Sequence, residues 1–347
     1  MIEYIDCNIK QVYTHWVGNN IDGDLSFSKG AIDISDPKLR ETLLKYYINS
    51  FKSDELYEFY HDTDIKYNVV YDLITSAFTN PGQCLDISID IAKYLFEKSS
   101  HPNIKYGEFC LTYFSNIKVN GQLANAIGLF KSENKDTFLK ISKQEGNASI
   151  EAESGININK IDKGCIIFNI DQENGYIVCV IDNTNRGIDA RYWIDDFLHV
   201  RQRKDEYYNT HNVMAMCKNY VTKHLPNEFM VTKADQAEIL NETIKYFKEQ
   251  DNFSFDEFSQ KVISDPKVVE SFNRFKDEYE QERDIQIEDE FAISDSAVKK
   301  QSRAFKSVIK LDKNFHIYVH GNNQYIKKGY DETTGMYYYQ LFFKEEL

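Results

Sequence analysis

The sequence predicts an α+β protein, with N-terminal helices and an antiparallel sheet, then a mostly helical region and a small C-terminal antiparallel sheet. Three observations lead there. Apolar residues recur at helical spacing in the early part of the chain, change to a strand pattern from Lys105 to Asp182, and return to helical spacing after residue 207. No strand–helix–strand alternation is present, which argues against a doubly wound nucleotide-binding sheet. At roughly 150 residues per domain, 347 residues suit two domains. The change of period places an α+β domain over 1–205 and a helical region with a C-terminal basic β-sheet over 206–347.

The first helix is signalled by SDPKLRETLLKYYINSF. Asp36 can cap it, Pro37 fits its first position, and Leu39, Leu43, Leu44, Tyr47 and Phe51 recur at helical spacing. DIKYNVVYDLITSAF and LDISIDIAKYLFEKSS predict two more helices, and Asn80-Pro81-Gly82 breaks the chain between them. KYGEFCLTYFSNIKV, LANAIGLFKSE and DTFLKIS alternate as the strands of a meander, with Asn-Gly at the first turn. GCIIFNI and GYIVCVID flank the turn-like DQEN, and their Ile, Val and Phe content suits central strands. Further on, THNVMAMCKNYVTKHL, TKADQAEILNETIKYFKEQ, SFDEFSQKVI and DPKVVESFNRFKDEYEQE carry apolar positions three or four apart. The chain returns to alternation in SVIKLD, NFHIYVH, NQYIKKGY and MYYYQLFF.

Composition excludes several classes. Hydrophobic residues make up 42% and aromatics 14%, which supplies packed cores and rules out a mainly disordered chain. The opening MIEYIDCNIKQVYTHWVG is too polar for a secretory signal, and no window approaches the ~18 apolar residues of a membrane span. Cys7, Cys84, Cys110, Cys165, Cys179 and Cys217 are scattered without a CxxC pair, as expected for reduced thiols in the cytoplasm.

The net charge of −14 is unevenly spread. Between Glu228 and Asp295 there are 19 acids against 8 bases, concentrated in DEYEQERDIQIEDE, which is read as an acidic helix from Phe275 to Glu290. Between Val298 and Lys328 the sign reverses. Lys299, Lys300, Arg303, Lys306, Lys310, Lys313, Lys327 and Lys328 face a single acid, Asp312. If AVKKQSRAFK is helical, Lys299, Arg303 and Lys306 share one face, and cations so gathered release counterions when they meet a polyanion. Phe315, Tyr318 and Tyr325 could extend that surface as a ribbon or stacking platform. The plain alternative is a solvated face whose lysines pair with the preceding acids. A weaker basic group, Arg201, Arg203 and Lys204, follows Arg186 and Arg191, and its arginines are expected to pair with Asp189, Asp195 and Asp196.

Catalytic templates fit poorly. There is no GxxxxGK[ST] loop, no GxGxxG after a strand and no GxSxG elbow. Glu133-Asn134-Lys135 with Glu108 is the one hint of metal-dependent phosphodiester cleavage, in a chain rich in those residue types. His316 and His320 lie four apart in a strand pattern, about 13 Å from each other, so no metal site is expected. No cofactor is implied, and no catalytic residue is assigned.

Four segments, IAKYLFEKSSHPNIKYGEF, AIGLFKSENKDTFLKI, RYWIDDFLHVRQRKDEYYNT and IKLDKNFHIYVHGNNQYIKKGYDETTGMYYYQLFF, resemble the NdpA-like nucleoid-associated proteins of bacteria. The resemblance runs over most of the chain. It implies a role on the chromosome in the cytoplasm, DNA binding without a reaction, and self-association as a homodimer. It supplies no contact residues, so the basic residues named above rest on charge and placement alone. The expected partner is duplex DNA, with single-stranded DNA as a second form. Two alternatives are an interaction module that recruits a protein partner through the acidic helix, and a metal-dependent nuclease.

Overall fold

Between Gly107 and Asp182 several strands are apolar at nearly every position, which suits strands covered on both faces rather than one. All six residues of KGCIIF are buried. The computed structural model describes residues 2–144, 147–184, 192–305, 308–318 and 325–345, and divides into two units, Met1–Arg203 and Lys204–Leu347.

The first unit runs β1 (Ile2–Glu3), β2 (Asn8–Val17), β3 (Leu25–Phe27), α1 (Pro37–Ile48), β4 (Tyr57–Phe59), α2 (Val69–Thr79), α3 (Cys84–Lys98), β5 (Gly107–Val119), β6 (Gln122–Ser132), β7 (Asp136–Gln144), β8 (Asn147–Gly155), β9 (Lys163–Phe168), β10 (Ile177–Asp182) and β11 (Val200–Gln202). Nine strands form one antiparallel sheet in the order β11-β4-β10-β9-β6-β5-β2-β3, with β1 also paired to β5. Alternation sorts their side chains. Phe109, Leu111, Ile127, Leu129, Cys165 and Ile167 join α2 and α3 in one core cluster. Phe114, Ala126, Phe130, Ile166 and Phe168 join Tyr46 and Tyr47 of α1 in another. On that second side Tyr47 stacks on Phe130 at 4.3 Å between ring centroids.

The three predicted helices form where their local signals lie. Asp36 accepts from the Lys38 amide with Pro37 in the first turn, and Asn68 caps α2 through the Tyr71 amide. Asn120 and Gly121, both at positive φ, make the tight turn between β5 and β6.

Two expectations about this unit change. Strands that the sequence reading did not assign precede the predicted N-terminal helices, because IKQVYTHWV alternates and pairs with β5 from Asn8↔Ser115 to Val17↔Gly107. The meander also breaks after β6. Strand β7 leaves the sheet and pairs with β8, a strand not foreseen, while β9 takes the place beside β6. Lys140 and Glu153 on the β7–β8 ribbon would have to be buried in the middle of a covered sheet, whereas β9 carries no charge from Gly164 to Phe168 and its one charged residue, Lys163, is paired with Asp182.

The second unit runs α4 (Glu206–Asn219), α5 (Leu225–Glu228), α6 (Lys233–Glu249), β12 (Asn252–Ser254), α7 (Phe255–Phe258), α8 (Pro266–Arg283), β13 (Glu290–Ala292), α9 (Asp295–Ser302), β14 (Val308–Leu311), β15 (Phe315–Tyr318), β16 (Ile326–Asp331) and β17 (Met336–Leu341). Its core is aromatic: Phe247, Phe253, Phe258, Phe272 and Phe291 pack together, with Phe253 stacked on Phe291 across the β12–β13 pair. Thr232 and Asp235 cap α6 reciprocally, and Asp265 with Pro266 starts α8.

The acidic helix is shorter than Phe275–Glu290. Helix α8 stops at Arg283, where Asp284 turns to φ 51°, and Ile287 is then buried in the core. Ile285 and Ile287 stand two apart, a spacing that favours extended chain leading into β13 over another helical turn.

Candidate nucleic-acid interface

The C-terminal cations sit on three small elements of the second unit. Ser294 caps α9 through the Ala297 amide, and Ala297 and Val298 are buried, so Lys299 and Lys300 are left exposed in the last turn. Their charge there is favoured by the partial negative end of the helix. The helix ends at Ser302 and Arg303 is its C-cap, one turn on from Lys299 and still exposed. The predicted stripe thus ends within the cap, and Lys306 lies outside the described residues. Lys300 reaches the ring of Tyr207 at 5.5 Å.

Strands β14 and β15 form one hairpin and β16 and β17 another, so the small C-terminal sheet is two separate ribbons among the described residues. Both are anchored on α6. Ile309, Leu311, Ile317, Ile326 and Tyr339 pack around Ala234 and Ala237. With Ile309 turned inward, Lys310 points the other way beside its cross-strand partner His316, and Lys313 stands exposed in the turn. Lys327 and Lys328 are adjacent in a strand and therefore project to opposite faces, Lys327 toward Phe342 at 5.5 Å and Lys328 over Tyr337 at 4.7 Å. Lys299, Arg303, Lys310, Lys313, Lys327 and Lys328 form no ion pair among the described residues, so the expected pairing with the acidic segment does not occur for them. That segment satisfies other groups. Lys276 pairs with Asp289, and Glu280 accepts from the Ile287 amide.

The second basic group behaves differently. Arg201 donates to Glu58 at 2.9 Å and lies over the Tyr60 ring, while Arg203 pairs with Asp171 at 2.6 Å and donates to the Tyr176 carbonyl. Their partners are thus Glu58 and Asp171, brought by β4 and the turn before β10, and not the nearby aspartates. The Arg203 hydrogen bond holds the Asp171 carboxyl below the usual carboxylate range. Glu58, Tyr60, Arg201 and Arg203 line a polar cleft of about 340 Å³ with His61 and Asn174. Lys204 is exposed at the start of the second unit, and Arg186 and Arg191 lie outside the described residues.

Glu133, Asn134 and Lys135 follow the end of β6, and donors of the chain itself occupy the carboxylates there. Glu133 pairs with Lys131 at 3.1 Å and accepts from the Tyr192 hydroxyl at 3.0 Å. Lys135 pairs with Glu108, and Asp162 accepts from the amides of Glu133 and Asn134. Among the described residues no three His, Cys, Asp or Glu side chains are grouped to hold a metal. His316 lies on β15 as predicted, and His320 lies outside the described residues.

Sequence reasoning missed the buried partners Lys131 and Lys163, both inaccessible to solvent, and it read the tyrosines of MYYYQLFF as a self-association surface and not as part of a nucleic-acid site. Alternation in MYYYQLFF was the available signal for the tyrosines. Nothing local signals the lysines, whose carboxylates are on other strands or past a strand's end.

Taken together, the exposed cations suit extended contact with a polyanion better than capture of a small molecule in a pocket. The chain belongs to the family described as nucleoid-associated protein YejK, whose model matches residues 14–336. No curated protein matches it. Among the described residues no helix is long and apolar enough to cross a membrane.

Proposed function

We propose that this protein binds duplex DNA on the bacterial chromosome, largely through phosphate contacts, with little sequence preference and without catalysing a reaction. The observation that carries the proposal is the set of exposed cations without ion pairs in a member of the nucleoid-associated family: Lys299, Arg303, Lys310, Lys313, Lys327 and Lys328. Lys300, exposed beside Lys299 on α9, is added to the set, and Lys306 is included on charge alone. Phosphate contacts position a protein on the duplex but carry no base information, hence the weak sequence preference. Arg201 and Arg203 are secondary, since Glu58 and Asp171 already compete for them.

The test is charge reversal. Lys299→Glu, Lys300→Glu, Arg303→Glu and Lys310→Glu combined should remove measurable duplex binding at moderate salt while leaving the circular dichroism spectrum unchanged, because all four side chains are exposed. Undiminished binding would refute the proposal.

A second reading is a module that recruits a basic protein partner through the acidic segment 275–290. It is favoured by Asp277, Glu278 and Glu282, which are exposed on α8. Neutralising them would then remove a co-purifying partner and leave DNA affinity intact. A nuclease is the third reading, and it requires divalent-metal-dependent cleavage that Glu133→Ala abolishes.

A further inference from the structure

We propose that the distal end of the β16–β17 hairpin is a stacking site for the unpaired bases of single-stranded DNA. The proposal rests on the nucleic-acid reading above and adds a ligand form and the residues that would recognise it. The juxtaposition that carries it is Tyr330, Tyr337 and Lys328 on one face of a ribbon whose root is packed and whose tip is free.

The strand register sets the two faces. Ile326↔Leu341, Lys328↔Tyr339 and Tyr330↔Tyr337 are cross-strand pairs, so these six side chains share a face. At the root, Ile326 and Tyr339 pack against Ala234 and Ala237 of α6. Toward the tip nothing comparable covers the rings: Tyr330 is 53% exposed and Tyr337 71%. Their centroids are 5.0 Å apart with planes at 58°, so the two rings are tilted and not stacked face to face on one another. The Lys328 ammonium, 4.7 Å over Tyr337, holds a cation where a strand's phosphate would pass beside a stacked base. On the opposite face Tyr338, 50% exposed, lies across Gly329, while Lys327 provides a second cation.

The turn is built to hold this tip in shape. Asp331 accepts from the Thr333 amide and the Thr334 hydroxyl, the Gly335 amide donates to the Asp331 carbonyl, and Gly335 takes φ 68°. A ribbon packed at its root and closed by a hydrogen-bonded turn presents its aromatic rings with little ordering left to do on binding.

Chemistry favours a single strand over a duplex for these rings. Intact duplex offers phosphates and base edges, and an exposed ring face gains little from either. Unstacked bases offer π-faces, and stacking tolerates any sequence because every base has one. The flanking lysines and the +7 stretch from Val298 to Lys328 supply the matching charge.

The experiment measures affinity of the intact protein for a short oligothymidylate, the same length of abasic strand, and a duplex, with light scattering run in parallel. Tyr330→Ala with Tyr337→Ala should weaken oligothymidylate binding by roughly tenfold per ring and leave duplex binding unchanged. The Tyr330→Phe/Tyr337→Phe variant should bind like the parent. The parent should bind the abasic strand as weakly as the double alanine variant binds oligothymidylate. Unchanged oligothymidylate affinity in the alanine variant overturns the stacking site while the duplex reading stands. Loss of oligomer mass with affinity unchanged also overturns it and assigns the rings to self-association. If the parent binds neither DNA form, both readings fall.

Discussion

His15 is wholly buried on β2, and both of its ring nitrogens are in use. The Ser28 amide donates to Nδ1, so Nε2 carries the proton and donates to Ser88 Oγ at 2.8 Å, and Ser88 donates onward to the Leu85 carbonyl. A second proton has no acceptor in that chain. Burial pushes the imidazole down to about 4. An unfolded histidine titrates near 6.5, so between about pH 6.5 and about pH 4 the unfolded chain binds more protons, and stability falls as pH falls through that window. Urea midpoints should therefore drop on acidification, and by less in His15→Gln; equal drops in the two proteins would contradict this assignment. Lys131 poses the opposite problem, a cation kept in the interior. Burial lowers its pKa, and Glu133 at 3.1 Å opposes that shift. Lys163 is held by Asp182 at 2.9 Å, and both ammoniums lie near the Tyr192 ring. Lys131→Met strands the Glu133 carboxylate and should cost about 3–5 kcal/mol in chemical denaturation. Lys131→Met/Glu133→Gln should recover part of it, and a single variant as stable as the parent would show that the pair is not needed.

Elements with local causes were readable from the residues in order. Asp36-Pro37 and the Leu43, Leu44, Tyr47 periodicity specify α1 within one stretch, and Asn120-Gly121 specifies the first turn of the sheet. Sheet order was not readable, because β4 is three residues long and takes its place through β10 and β11, well over a hundred residues away. The same distance hid Glu58 as the partner of Arg201. In the candidate interface, the exposed charges of α9 and β14 were readable, and so was the opposite facing of the adjacent Lys327 and Lys328; which ribbon residues dock on α6 depends on packing that no local stretch records. The β7–β8 ribbon bears on the self-association that the family resemblance implies, which we propose apart from the DNA-binding reading. Leu139, Ile141 and Ile150 are exposed on one face, while Lys140, Ser142, Ser149 and Glu153 occupy the other. An isolated two-stranded ribbon is marginal in water, and a second copy placed on the apolar face would cover it with little charge to bury. Leu139→Lys with Ile141→Lys should then convert a dimer to a monomer in light scattering; an unaltered mass would remove the ribbon from the interface.

Across the whole chain, −14 resolves into −11 between Glu228 and Asp295, +7 between Val298 and Lys328, and −10 elsewhere. The total repels DNA at long range, and screening by salt weakens that repulsion along with the local attraction. A local cationic surface on a negative protein should therefore bind weakly and lose affinity steeply as salt rises. The measurement that tests this most directly is duplex affinity of the intact protein over a range of salt concentrations. Contact with about five phosphates predicts a slope of log affinity against log salt of about −4 to −5. A slope near zero would contradict phosphate-dominated binding.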